Sequence, residues 1–293
     1  MISITTPAQL SLRLIIAVAL LCLGGCATRE TIPGITVLPN DSGIEVVRVE
    51  SLEPGWLIGK GRDEEGRIDP PDIPSRTIIK IKRVQTLHNK EARYFIPASG
   101  IVQVASIERY SEYPGARHLG PWRQLIQSSS PLSEEARKKF NDSDPSEIPW
   151  ANAARCFHGK MAKRTFPWGD AVLFLTHYIQ GKTGGPVNND MLVLVAQGFT
   201  KDGRYAVNAR FEIRHPALPD SLWDNRREGR AVFSIDNECD KAEDWLDSQP
   251  DASFSPSIGQ YEKFLSSLEI SAGSPIHRKA KKPELSDHGT PSD

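Results

Sequence analysis

Three strand-length segments that follow one another in the second half of the chain constrain its fold more than any other feature. Residues 171–180 (AVLFLTHYIQ) and 191–200 (MLVLVAQGFT) are apolar runs of the length typical of buried strands. A Lys-Asp-Gly turn sequence leads from the second run into residues 205–214, in which apolar and polar side chains alternate. Because successive side chains of a strand point to opposite faces, one face of this third strand should pack on a core and the other should meet water or a partner.

Shorter patterns predict further strands and a set of helices. Runs rich in β-branched residues predict strands in the first half, at residues 44–50, 76–87, 92–97 and 101–110, with a Pro- and Gly-rich loop at 59–75. Capping residues and apolar spacing predict helices at 121–128, at 133–140, from Asp236 or Asn237 to Asp247, and from Ser255-Pro256 onward. One apolar stripe of the last helix should lie on the sheet, made of Tyr261, Phe264, Leu265 and Leu268.

These elements predict an α+β fold, with antiparallel strands in one or two sheets and helices packed on one face. The domain should span residues 44–270, with a β-rich half at 44–110 and a sheet-plus-helix half at 111–270. Residues 26–43 are polar and interrupted by Pro and Gly, which predicts a flexible tether. Residues 271–293 are polar and without apolar period, which predicts a disordered tail. The hairpin-then-helix ending loosely resembles the Mog1/PsbP-type sandwich, and this implies an accessory or binding protein.

The amino-terminal residues have the layout of a secretory signal peptide. Arg13 precedes an apolar run, which ends in Leu23-Gly24-Gly25-Cys26. The run is shorter than the roughly 20 residues that span a bilayer. Its last four residues resemble the lipobox of bacterial lipoproteins. The resemblance implies a signal peptide at 1–25, a diacylglycerol on the Cys26 thiol, cleavage just before Cys26, and fatty acylation (palmitate) of the new amino terminus. An ordinary cleaved signal peptide and a short membrane anchor are the alternatives.

The lipoprotein resemblance also implies a location. Ala27 follows the cysteine, and in two-membrane cells an Asp there favours retention in the inner membrane, so Ala27 indicates the cell outer membrane, with the protein facing the periplasm. The lipid on Cys26 would then be the contact with the membrane, because no second apolar run of spanning length is present. The net charge of −1 offers no basic field for nucleic acid. An envelope protein or polymer is the expected partner.

Two cysteines remain once Cys22 is removed with the signal peptide and Cys26 is lipidated. Cys156 and Cys239 would face an oxidising compartment, which predicts a disulfide bond between them. Two buried thiols, or thiols too far apart to pair, are the alternatives.

Motifs for catalysis or metal binding are absent from the sequence. It contains no Gly-x-Ser-x-Gly elbow and no His-Glu-x-x-His, and no second ligand pair accompanies Cys156 and His158 at metal spacing. We therefore expect no metal and no cofactor, and an anchored lipoprotein that acts as a non-catalytic binding or accessory protein. Trp and Arg dominate binding hot spots, so the 223–230 loop is the candidate partner contact, through Trp223, Arg226, Arg227 and Arg230.

Two other functions stay open, and with them the question of enzymatic activity. A periplasmic hydrolase could assemble a dispersed site from residues such as Asp170, His177 and Glu212. An immunity or inhibitor lipoprotein would instead block a toxin in the periplasm.

Overall fold

The computed structural model describes residues 33–52, 76–82, 100–111, 113–128, 131–143, 145–148, 154–179, 185–221, 224 and 229–272. Within these ranges the chain forms one eight-stranded sheet, one two-stranded sheet and five α-helices. Every strand pairing is antiparallel. The predicted α+β class is confirmed.

The bounds of the elements follow the chain order. The strands are β1 Gly34–Val37, β2 Val46–Leu52, β3 Arg76–Ile81, β4 Ile101–Ser106, β5 Ala154–Arg155, β6 Gly159–Phe166, β7 Gly169–Ile179, β8 Leu192–Thr200, β9 Tyr205–Glu212 and β10 Leu268–Ser271. The helices are α1 Ile107–Tyr110, α2 Leu119–Gln127, α3 Glu134–Ser143, α4 Cys239–Ser248 and α5 Ile258–Ser266. In the described ranges, none of the helices is long and apolar enough to cross a membrane.

The predicted meander of three strands lies at the centre of the large sheet. The strand order is β2-β3-β4-β9-β8-β7-β5, and β6 also pairs with β7. The β8–β9 turn has Gly203 at a φ of +67°, a left-handed conformation that glycine adopts without strain. The strand predicted at 92–97 and the whole of the loop predicted at 59–75 lie outside the described residues.

Helices cover both faces of the large sheet. Leu173 of β7 belongs to a core that includes Tyr261 of α5, whereas the next residue, Phe174, belongs to a second core that includes Trp122 of α2. The ring of Tyr261 stacks on Phe211 with centroids 4.3 Å apart, and Trp122 stacks on Phe174 at 6.1 Å. The sheet is therefore the middle layer of three. The prediction of helices on one face alone is wrong.

Both faces of β9 are buried, contrary to the prediction that one would meet water or a partner. Asn208 is 0% exposed and Glu212 is 6% exposed. The polar side chains on this face find partners within the protein: Asn208 Nδ2 donates to Gln197 Oε1 at 3.1 Å, and Arg210 Nε donates to Glu147 Oε2 at 2.9 Å. A buried polar group is normally hydrogen-bonded, and the Asn208 Nδ2 and Arg210 Nε donors both meet this requirement.

The folded part begins earlier than the sequence predicts. Strand β1 pairs with β10 in register, with Gly34 opposite Ser271. Leu38 N–H also donates to the Ser267 carbonyl at 2.9 Å, and Thr77 Oγ1 donates to the Pro33 carbonyl at 2.6 Å. From residue 33 onward the predicted tether is therefore wrong, and residue 271, predicted to begin the disordered tail, is the last residue of a strand. Residues 26–32 and 273–293 lie outside the described ranges.

Some local predictions differ in detail. Strand β6 was not predicted, because Lys160, Lys163 and Arg164 interrupt its apolar pattern. Strand β4 stops at Ser106, whose Oγ caps the short helix α1, so the strand predicted at 101–110 is too long. Ser257 rather than Ser255 caps α5, in a capping box with Gln260.

Candidate functional site

Helix α2 forms a ridge on the second face of the sheet, with a cleft on each flank. Trp122 is fully buried beneath the helix, and its Nε1–H donates to the Ser146 carbonyl at 2.8 Å. Helical positions three and four apart share a flank. Arg123, Ile126 and Gln127 accordingly line one cleft, whereas Pro121, Gln124, Leu125 and Ser128 line the other, to which Gln127 also contributes.

The first cleft lies between α2 and the turns that join β6 to β7 and β8 to β9. We call it the charged cleft; its principal lining side chains are Arg123, Lys201, Asp170, Thr165, Thr200 and Phe199. Its volume of about 440 Å³ falls within the range of about 300–1,000 Å³ found for ligand sites.

The strand register brings the groups of the charged cleft together. Asp170 of β7 lies directly opposite Phe199 of β8 and opposite Thr165 of β6, so the three side chains share one face. The guanidinium carbon of Arg123 lies 5.9 Å from the centroid of the Phe199 ring, within the range of a cation–π contact. The Lys201 side chain enters from the β8–β9 turn.

Two carboxylates near the charged cleft are bound by hydroxyl groups. Thr165 Oγ1 donates to Asp170 Oδ1 at 2.7 Å, and Thr200 Oγ1 donates to Asp202 Oδ1 at 2.6 Å. The hydrogen bond from Thr200, followed by those from the backbone, holds the pKa of Asp202 below its usual value. Asp202 also lies 4.0 Å from Arg204. Asp170 has no other hydrogen bond within the described part of the chain.

The cations of the charged cleft have no acidic partner in the part of the chain that the structure describes. Among the described residues, neither Arg123 nor Lys201 forms an ion pair. Both side chains are exposed, so each keeps its charge in contact with solvent. The cleft therefore carries two free cations and one carboxylate above an apolar floor, an arrangement suited to an anionic ligand.

The second cleft lies between α2 and α3, and we call it the apolar groove. Pro121, Leu125, Ala136 and Phe140 line its walls, with Gln124 and Lys139 also contributing. Its volume is about 460 Å³. Because Gln127 lines both clefts, the charged cleft and the apolar groove meet at the carboxyl end of α2.

A buried ionic cluster supports the layer beneath α2. Glu147, which is 1% exposed, accepts hydrogen bonds from Tyr178 Oη at 2.7 and 2.8 Å and from Arg210 Nε at 2.9 Å. Arg155 Nη1 lies 3.7 Å from the same carboxylate. Burial, with the charge of Glu147, raises the pKa of Tyr178 well above its usual value. The cluster fastens residues 145–148 to the sheet, and Trp122 of α2 donates to that segment.

The residues proposed for a dispersed hydrolase site do not come together. Asp170 and His177 lie seven residues apart on β7, about 23 Å at strand spacing, and they point to opposite faces. Glu212 lies near the same end of the sheet as His177 but on the opposite face. Burial lowers the pKa of His177 to about 3, and its Nε2 lies 3.1 Å from Asn188 Nδ2. Asp170 belongs instead to the charged cleft.

The predicted partner-contact loop is described only in part. Trp223, Arg226 and Arg227 lie outside the described residues. Arg230 makes internal contacts, because Nη1 lies 3.0 Å from Asp224 Oδ2 and Nη2 lies 3.3 Å from Asp220 Oδ2. The Arg230 guanidinium therefore pairs with carboxylates of the same loop.

The cysteines predicted to pair are close in the structure. Cys156 and Cys239 join the segment before β6 to the start of α4, with their sulfur atoms at bonding distance and Cα atoms 5.4 Å apart. Cys26, the predicted lipidation site, lies outside the described residues. Within the described ranges, no group of three or more His, Cys, Asp or Glu residues is arranged to hold a metal ion.

Sequence reasoning did not identify Arg123 and Lys201. Neither residue belongs to a recognisable motif. Arg123 follows a Trp in a short helix, and Lys201 lies in a Lys-Asp-Gly sequence that is already accounted for as a turn. Comparisons with family models, with curated proteins and with solved structures found no match to this chain.

Proposed function

We propose that this protein is a lipid-anchored protein of the bacterial cell envelope that binds a ligand, without catalysis, at the clefts on either flank of α2. The observation that carries the binding role is a pair of cations beside Asp170 in the charged cleft, Arg123 and Lys201, neither of which forms an ion pair with a described residue. Complementary charge steers a ligand to a cleft and fixes its register, so two cations beside one carboxylate can select an anionic group.

The lipid anchor is supported by the lipobox-like residues Leu23-Gly24-Gly25-Cys26 at the end of the apolar run. Two or more acyl chains are needed for stable membrane attachment, and the lipoprotein modification supplies them. The binding clefts would then work at the outer membrane, on the periplasmic side.

The chemistry of the charged cleft supports binding more than turnover. Its hydroxyl groups, on Thr165 and Thr200, each donate to a carboxylate. No histidine or cysteine is among the described residues that line it. Histidine is the most frequent general acid–base group in enzymes, and cysteine is a common nucleophile.

The anchor is tested by membrane fractionation of the wild type and Cys26→Ala, with mass spectrometry of the mature amino terminus. We expect acylated Cys26 in the outer-membrane fraction and loss of that attachment in the variant. Wild-type protein released free into the periplasm would contradict the anchor.

The binding role is tested by photocrosslinking in cells. A photoreactive residue at position 127, where the two clefts meet, should give a discrete adduct that weakens in an Arg123→Ala/Lys201→Ala background. A photoreactive residue at Asp236, which is exposed and precedes α4, is the matched control and should give no such adduct. Equal adducts at both positions, or an adduct indifferent to the two cations, would overturn the proposed role of the clefts.

A further inference from the structure

We propose that the two clefts bind the carboxyl-terminal segment of a peptide, with the terminal carboxylate in the charged cleft and apolar side chains in the apolar groove. This inference rests on the proposed function and names the ligand class of the same site. Its basis is that the charged cleft, with its two cations, and the apolar groove adjoin at one residue, Gln127.

The cations define one end of the ligand. Arg123 is held over the Phe199 ring and Lys201 projects from the β8–β9 turn, so both charges border the same space. Together with Asp170 they leave a net charge of about +1 in the cleft, which matches a single carboxylate. Asp170 Oδ2 accepts no hydrogen bond from a described residue, and it can accept one from a backbone N–H of the ligand.

The apolar groove defines the rest of the ligand. Pro121 and Ala136, both half-buried, present apolar surface between two helices, with the buried side chains of Leu125 and Phe140 beneath them. Apolar side chains gain about 25 cal/mol for each Å² removed from water. Gln127 stands at the junction, with an amide that can both donate to and accept from a peptide bond. A chain that passes Gln127 would place consecutive residues in the two clefts.

A fatty acid also combines a carboxylate with an apolar body, but it fits these clefts less well. Asp170 Oδ2, which accepts no hydrogen bond from a described residue, and the Gln127 amide would face its hydrocarbon chain without a hydrogen-bonding partner. Buried polar groups left unsatisfied weaken binding. A peptide backbone supplies both donors and acceptors, so the polar lining favours the peptide.

The test is fluorescence anisotropy with the purified full-length lipoprotein in detergent micelles. The probe is a mixture of amino-terminally fluorescein-labelled hexapeptides, with Ala, Val, Leu and Phe randomised over the last four positions and a free carboxyl end. We expect saturable binding, and at least tenfold weaker binding when the carboxyl end is amidated, because charge-assisted hydrogen bonds are lost. Arg123→Ala/Lys201→Ala should reduce the preference for the free carboxylate to less than threefold.

Matched variants separate the site from general damage to the protein. Arg204→Ala removes an exposed arginine near the β8–β9 turn that faces Asp202, and it should leave the carboxylate preference intact. Ala136→Trp should fill the apolar groove and weaken peptide binding at least tenfold, whereas Lys138→Trp, on an exposed position of the same helix, should not. Circular dichroism and thermal unfolding of each variant check the fold.

Three results would overturn the inference: no peptide binding, equal affinity for free and amidated peptides, or tighter binding of decanoate in competition than of the peptides. In each case, a discrete crosslink from position 127 that still depends on the two cations leaves the proposed function standing with a different ligand. Loss of that crosslink would refute the proposed function itself.

Discussion

Replacing Glu147 with glutamine should destabilise the protein more than removal of any exposed ion pair. The carboxylate is 1% exposed and lies 2.9 Å from Arg210 Nε and 3.7 Å from Arg155 Nη1, with Tyr178 donating to it as well. Glu147→Gln keeps the shape and removes the charge, so the buried guanidinium groups lose the carboxylate that offsets their desolvation. Breaking one partner of a buried ion pair costs about 3–5 kcal/mol, a large part of the roughly 5–15 kcal/mol that stabilises a typical domain.

The assay is urea unfolding followed by tryptophan fluorescence. Trp122 is fully buried and donates to the carbonyl next to Glu147, so its emission should report this region. The matched control is Glu45→Gln, which removes the exposed ion pair with Lys82, at 2.6 Å and about 60% side-chain exposure on both sides. An exposed pair contributes about 0–1 kcal/mol. If the two variants lost similar free energy of unfolding, the stabilising role of the buried cluster would be refuted.

Three further predictions concern His177, the cysteine pair and Gly169. Burial lowers the pKa of folded His177 to about 3, against 6.5 when unfolded, so the unfolded state binds up to one more proton as the pH falls below 6.5. The free energy of unfolding should therefore decrease as the pH falls, with a slope that approaches about 1.4 kcal/mol per pH unit near pH 5. His177→Gln should lose this slope in urea unfolding between pH 6.5 and 5, and parallel slopes would contradict it. Thiol labelling of the unfolded, unreduced mature protein should find neither Cys156 nor Cys239, and labelling of both would contradict the disulfide. Breaking the bridge with Cys156→Ser should cost about 4.5 kcal/mol in the chain-entropy model, since the two lie 83 residues apart. Gly169→Ala should cost about 2 kcal/mol or more, because a Cβ there collides with the Phe199 carbonyl, and Gly259→Ala, with open space around it, is the calorimetric control that should not destabilise.

The central strands were predictable because their signal is local. The apolar runs of β7 and β8 and the glycine turn before β9 specify strands without knowledge of the rest of the chain. The burial of the polar face of β9 could not be predicted from such a local signal. The alternating pattern predicts that Arg210 faces solvent. Glu147, some sixty residues earlier in the chain, instead accepts a hydrogen bond from Arg210, and this allows the face to be buried.

The predicted bounds of the domain are too narrow for a related reason. Strand β1 has Gly34 and neighbouring prolines, which locally indicate a flexible segment. Its stability comes from pairing with β10, at the opposite end of the chain, and from contacts such as Thr77 with the Pro33 carbonyl. A two-stranded pairing of this kind contributes no periodicity that a window of sequence could detect.

The groups that the strands contribute to the charged cleft could be predicted from the sequence, whereas the contribution of Arg123 could not. Once β7 and β8 are recognised as an antiparallel hairpin, the start of one and the end of the other must share an end of the sheet, which places Asp170 beside Phe199 and the Lys201 turn. The contribution of Arg123 depends on α2 crossing that end of the sheet, and α2 is positioned by Trp122, which packs against Phe174 and donates to the segment that Glu147 fastens. The charged cleft therefore follows no local sequence motif, because its charges are brought together by strand register on one side and by a buried ionic cluster on the other.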